Sequence, residues 1–112
     1  MSLRSQLLKG VLEGCIMAIV EKETVYGYEL SQKLQYYGFN GVSEGSIYPI
    51  LLRLQKEGLV TGEIRKSPMG PKRKYYQLTD KGRDALREFA HEWRKLQVPV
   101  ENMLKGRLDD ER

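Results

Sequence analysis

Over the first twenty residues, Leu3, Leu7, Leu8, Val11, Leu12, Cys15, Ile16, Ile19 and Val20 return at three- and four-residue steps. That spacing lays a wide apolar stripe along one side of a long helix. A second, shorter helix is predicted over Gly27 to Tyr37, with Leu30 and Leu34 one turn apart. Gly38-Phe39-Asn40-Gly41 then reads as a turn whose glycines are free to take positive φ. Ser43-Glu44-Gly45-Ser46 opens a third helix: either serine can cap it, and Glu44 suits the positive end of the helix dipole. Ile47, Ile50, Leu51 and Leu54 form its expected buried face, and Gly58 ends it as a C′ glycine. Pro49 is awkward in a helix interior. It costs no hydrogen bond if Ser46 is the cap, because it then stands at the third helical position; the sequence leaves the two caps open.

The period then changes. Leu59 to Arg65 and Arg73 to Leu78 alternate well enough to predict two short strands, with Val60, Ile64, Tyr76 and Leu78 as core candidates. Lys66-Ser67-Pro68-Met69-Gly70-Pro71-Lys72 joins them as a Pro/Gly loop, so the pair is a hairpin with a long, basic tip. Thr79 is the expected cap of a final helix, with Asp80 in its first turn. Leu86, Phe89, Ala90, Trp93, Leu96, Val100, Met103 and Leu104 approximate a heptad seam along it. Pro99 should kink or restart that helix, and Asp109 to Arg112 should fray. The fold class expected is mainly α with a small β-hairpin: a winged helix-turn-helix domain over residues 3–78 and a C-terminal dimerisation helix over 79–108.

Charge sharpens this outline. The 112 residues are 40% apolar and 30% charged, the balance of one globular domain. The net charge is +4. Between residues 53 and 83, however, nine Lys and Arg face only Glu57, Glu63 and Asp80. That stretch is +6 and the remainder −2, a segregation suited to an anionic polymer docking on one region; a merely solvated face is the plainer alternative. Lys9, Glu13 and Glu21 interrupt every long apolar run, so neither a membrane span nor a signal peptide is expected. Cys15 is the one cysteine; within the apolar stripe it reads as inert core, and a reducing, cytoplasmic location is the default.

The residues themselves are familiar. Tyr26-Gly27-Tyr28-Glu29-Leu30, Ser43-Glu44-Gly45-Ser46-Ile47-Tyr48-Pro49-Ile50-Leu51, Arg53-Leu54, Glu57-Gly58-Leu59-Val60, Gly70-Pro71, Arg73-Lys74-Tyr75-Tyr76 and Leu78-Thr79 with Gly82 occur in this order. The set resembles the PadR family of regulators, from about residue 7 to residue 90. The short tail is similar to the subfamily with a single C-terminal helix; the family's common His before the Gly-Tyr-Glu motif is Tyr26 here. The resemblance implies homodimeric winged-helix proteins, often repressors, that bind palindromic double-stranded DNA operators and release them on a small-molecule or stress signal.

The candidate contact residues follow from the helical wheel and the wing. With Ile47, Ile50, Leu51 and Leu54 facing inward, Gly45, Pro49, Leu52, Arg53 and Lys56 face out and Tyr48 lies at the flank. Arg53 and Lys56 are placed to neutralise phosphates, or Arg53 to reach a guanine edge. Ser43 and Ser46 either cap the helix or, beside its free amides, take a phosphate or a base edge. Tyr48 either packs laterally or meets a thymine methyl or a phosphate. At the wing, Lys66, Lys72, Arg73 and Lys74 suit backbone or minor-groove contacts. Arg73 and Lys74 leave opposite faces of a strand, so only one should point at DNA; the resemblance favours Arg73. Tyr75 and Tyr76 read as core and strand-pairing residues, and Gly82 as a point of close packing against the wing. Trp93 is either buried seam or, as the resemblance allows, part of an inter-subunit pocket with Phe89 and Leu96 for a small planar aromatic ligand.

An enzyme is disfavoured. His91 is the only histidine and falls on the charged side of the last helix. No phosphate loop, paired catalytic carboxylates or metal-ligand spacing occurs, and no cofactor is called for. A winged-helix module for RNA or protein contacts remains the alternative, and the basic wing disfavours protein contacts alone.

Overall fold

A computed structural model describes residues 2–66 and 69–107. The elements are α1 (Leu3–Lys22), β1 (Val25–Tyr26), α2 (Gly27–Tyr36), α3 (Glu44–Lys56), β2 (Val60–Arg65), β3 (Arg73–Leu78) and α4 (Asp80–Leu104). Three helices, a hairpin and a last helix make the winged helix-turn-helix that the hydrophobic pattern outlines. Ser67 and Pro68 of the wing tip, and residues 108–112 with the tail from Asp109 to Arg112, lie outside the described residues.

One core joins all layers. Leu12, Ile16, Met17, Ile19 and Val20 of α1 meet Leu30 and Leu34 of α2, Ile47, Leu51 and Leu54 of α3, and Val25, Val60, Tyr76 and Leu78 of the sheet. Each fully buried Leu or Ile contributes about 1.5–3 kcal/mol relative to exposure. Ile50 packs half-buried at the edge, as does Cys15, whose thiol is pushed up by burial and so stays neutral. The turn between α2 and α3 uses positive φ at Gly38 (105°) and Gly41 (86°).

The structure departs from the pattern in three places and decides a fourth that the sequence leaves open. The sheet has three strands in the order β1-β3-β2, because Val25 and Tyr26 pair with Tyr76 and Tyr75. Two residues are too few to show an alternation. Ser43 is the cap of α3, its carbonyl accepting from the amides of Ser46 and Ile47 at 3.1 and 3.2 Å. Pro49 therefore does stand in the helix interior, and the Gly45 carbonyl loses its i+4 amide on the exposed side, where water can replace it. Ile64 is not core: it is 68% exposed. It shares a face with Val60, but four residues further on, about 13 Å along the strand, the hairpin has run past the helices. Finally, α4 continues through Pro99 without a break; the surrounding helix is exposed, so the carbonyl that loses its amide partner can turn to solvent.

The junction of α3, the hairpin and α4 is closely packed. The Thr79 hydroxyl caps α4 by accepting from the Gly82 amide at 2.9 Å and donates to the Gly58 carbonyl at 2.7 Å. Lys81 Nζ donates to the Glu57 carbonyl at 2.9 Å. Gly82 is buried, and a methyl group there would overlap the Leu59 carbonyl oxygen and the Leu78 side chain. Further along α4, the Phe89 ring lies on Gly14 of α1. Beyond Phe89 every described residue of α4 is exposed, and the helix projects from a molecule 53 Å long. No helix among the described residues is long and apolar enough to cross a membrane.

Gly82→Ala tests the junction. Helix propensity alone would make it stabilising by about 1 kcal/mol, whereas overlap with the Leu59 carbonyl should make it destabilising by about 1–3 kcal/mol. Urea unfolding decides between them, and an alanine variant as stable as the parent would show that the crossing can open.

Candidate nucleic-acid interface

The first turns of α2 and α3 and the start of β3 converge on one open cleft of about 510 Å³. Tyr26, Gly27, Tyr28, Glu44, Tyr48, Lys72, Arg73 and Lys74 line it. Its position follows from local structure. Tyr26 ends β1 and caps α2, with the Glu29 carboxylate accepting from its amide at 3.3 Å. Gly27 lets the Tyr48 ring lie against the chain; a Cβ there would fall 2.7 Å from Tyr48 Oη, and the exposed ring would have to move aside. The chain reverses through the wing, bringing Lys72, Arg73 and Lys74 back beside these tyrosines.

Within the cleft the groups are held by one another. Arg73 Nη1 donates to Tyr26 Oη at 3.0 Å, and its guanidinium lies 4.4 Å from the centroid of that ring. Tyr26 in turn meets Tyr75 edge-on at 5.3 Å and stacks with Tyr28 at 6.5 Å. One of the five guanidinium N–H donors is thus committed, and the rest remain for an anion. The Tyr48 hydroxyl donates to Glu44 Oε2 at 3.0 Å. Partial burial and then the Glu44 carboxylate push this phenol up, so it stays protonated and remains a donor. Three cations and one carboxylate leave the cleft positive.

Several expected contact residues are here and others are not. Lys72, Arg73, Lys74 and Tyr48 all border the cleft. Arg73 and Lys74 both border the cleft, but their side chains leave opposite faces of β3: the Arg73 guanidinium lies over Tyr26, whereas Lys74 Nζ lies 5.7 Å from the centroid of Tyr76. Ser43 and Ser46 stand exposed at the start of α3, their hydroxyls 3.4 Å apart. The two hydroxyls hydrogen-bond to one another, and the Ser43 hydroxyl does not cap a helix amide. Pro49 is exposed on the same helix, and Lys66 is exposed at the end of β2. Arg53 is placed differently: it forms an ion pair with Glu13 of α1. It and Lys56 lie in the last turn of α3, about 15–20 Å along the axis from Ser43. Tyr76 is buried and Tyr75 half-buried, as strand pairing requires.

Pattern reading overlooked Tyr26, Tyr28 and Glu44 as members of this site. The Tyr-Gly-Tyr triplet was the available signal, since a glycine between two large aromatics marks a close approach by another group. Phe89 is packed on Gly14, while Trp93 is 45% and Leu96 59% exposed.

Comparison with known proteins bears on the family and the fold. The pattern of the transcriptional regulator PadR-like family matches residues 16–88. A PadR-like transcriptional regulator from Bacillus cereus strain ATCC 14579 is 58% identical and superposes with a TM-score of 0.82, over 90% of this chain and 98% of that one. The transcriptional regulator Rv3488 of Mycobacterium tuberculosis is 42% identical over 64 residues, 57% of this chain and 58% of that protein. Bacillus subtilis PadR, solved in complex with operator DNA, is 27% identical with a TM-score of 0.65. That match covers 71% of this chain but 46% of the other, so this chain spans less than half of that regulator's length. With a family pattern covering most of its winged domain and a full-length structural counterpart, the chain belongs to the PadR-like family of transcriptional regulators.

Proposed function

We propose that this regulator binds double-stranded operator DNA as a homodimer and acts as a repressor. The cleft between the start of α3 and the wing carries the reading, since Lys72, Arg73 and Lys74 converge there beside a helix N-terminus. In the proposed complex α3 enters a major groove. Ser43, Ser46, Tyr48 and Pro49 lie along its leading edge, and the wing cations hold the adjoining backbone. A Bacillus subtilis relative solved with operator DNA supports the same partner here. Arg53 is expected to serve chiefly as a strut to Glu13, joining phosphate contacts only by leaving that pair.

The dimer is argued from an uncovered apolar surface. Leu3 and Leu7 of α1 are about two-thirds exposed or more, and Trp93, Leu96, Val100 and Leu104 lie exposed along α4. A soluble monomer rarely leaves that much contiguous apolar area in water. A second copy seated on it would form a symmetric pair, with recognition helices about 34–36 Å apart if the half-sites are one turn apart. Two Trp93 rings across such a seam would wall a slot for a flat aromatic ligand. Its binding would release DNA only if the ligand prefers one spacing of the recognition helices over the other.

Three measurements follow. Arg73→Ala should weaken DNA binding and reduce the slope of log K against log salt by about one unit; an unchanged slope would remove Arg73 from the phosphate contacts. Light scattering at micromolar concentration should give twice the chain mass, and Trp93→Glu should halve it; a monomeric parent would end the dimer model. Titrating planar aromatic compounds while following Trp93 fluorescence tests the slot, and no quenching across a broad panel would leave Trp93 as packing surface alone.

A further inference from the structure

On the face of the sheet turned away from the core, two like charges stand directly opposite one another. Arg65 at the end of β2 is the cross-strand partner of Arg73 at the start of β3. Side chains in such a pair leave Cβ atoms about 4.5–5.5 Å apart, where like charges destabilise. Neither guanidinium is left to swing free. Arg65 lies 5.3 Å from the centroid of Tyr75, while Arg73 lies over Tyr26 and donates to its hydroxyl. The two rings touch edge-on, so they seat both cations on one surface. Among the described residues, the acid that pairs with either is Glu63, 3.5 Å from Arg65 Nη2 and well exposed. An exposed pair at that distance is worth little, and a single carboxylate cannot balance two guanidiniums.

We propose that Arg65 and Arg73 form a clamp for one phosphodiester group of the DNA backbone, with Tyr75 and Tyr26 as its seats. The proposal rests on the DNA-binding reading above and adds Arg65 to it as a phosphate contact. Guanidinium forks match the oxygens of a phosphate, and each retains N–H donors for them. An anion between the two cancels the repulsion that the bare hairpin carries. Seating both side chains on tyrosines beforehand reduces the rotamer freedom lost on binding. Because Arg73 also borders the cleft, the clamp carries the basic surface one strand further out along the wing, about 4.8 Å.

The test uses the full chain and a random-sequence DNA duplex, since a phosphate clamp does not depend on base sequence. Binding is followed by fluorescence anisotropy over a range of salt for the parent, Arg65→Gln, Arg73→Gln, the double variant and Lys72→Gln. A shared phosphate predicts that the double variant loses about one unit of salt slope and that each single arginine substitution already removes most of it. Additive losses, or an unchanged slope in Arg65→Gln, overturn the clamp. If Lys72→Gln lowers the slope while Arg65→Gln does not, only the clamp falls; if the parent binds no duplex, the DNA-binding reading falls and takes the clamp with it. Melting without DNA at low salt gives an independent arm. Arg65→Gln should melt at or above the parent temperature once the repulsion is relieved, and a drop of several degrees would make Arg65 a structural strut instead.

Discussion

The backbone crossing at Gly82 sets the geometry on which the rest depends. There the first turn of α4 passes under the Leu59 carbonyl with no room for a methyl group. The Thr79 hydroxyl ties the start of α4 to the end of α3 through the Gly58 carbonyl. Since Leu59 leads into β2 and Leu78 ends β3, one small contact fixes the base of the wing against both helices. A hairpin of two six-residue strands would be marginal by itself. Anchored at this end by Val60 and Leu78, it can extend its other end beyond the core, and Ile64 is exposed as a consequence.

That extension is what returns the basic residues to α3. Lys72 leads into β3 and Arg73 and Lys74 begin it, while β1 and the first turn of α2 place Tyr26 and Tyr28 beside them. The result is a positive cleft in which the Tyr26 ring and hydroxyl hold the central cation, Arg73. The tyrosines have two roles. Tyr76 faces inward and closes the core, while Tyr75 and Tyr26 face outward and carry guanidinium groups. Binding energy for a polyanion and folding energy for the domain are therefore drawn from adjacent residues on opposite faces of the same strand.

The last helix shows the opposite economy. Only Gly82, Ala85, Leu86 and Phe89 are wholly or partly covered by the chain's own domain. Among the described residues, the seam that follows, from Trp93 to Leu104, stays exposed, as do Leu3 and Leu7 at the start of α1. Apolar side chains at helical spacing carry a cost in water unless another surface meets them, which is why the proposed second copy belongs on this edge.

Much of this could be read along the chain. The three-to-four-residue return of Leu and Ile is dictated by helix geometry, so the four helices and the inward faces of α2 and α3 were legible, as were Thr79 as a cap and Gly58 as a terminator. The run of Lys and Arg between residues 53 and 83 likewise marked the charged region, because charge is additive and needs no coordinates. What stayed hidden depends on residues distant in sequence. Two residues of β1 become a strand only by pairing with β3. Arg53 is drawn into an ion pair because Glu13, forty positions away in sequence, comes to lie beside it. Arg65 faces Arg73 only once the hairpin register is set. Local sequence determined which elements form and where charge accumulates; tertiary structure decided which cations share a surface, since that is set by register and packing between segments that no local period encodes.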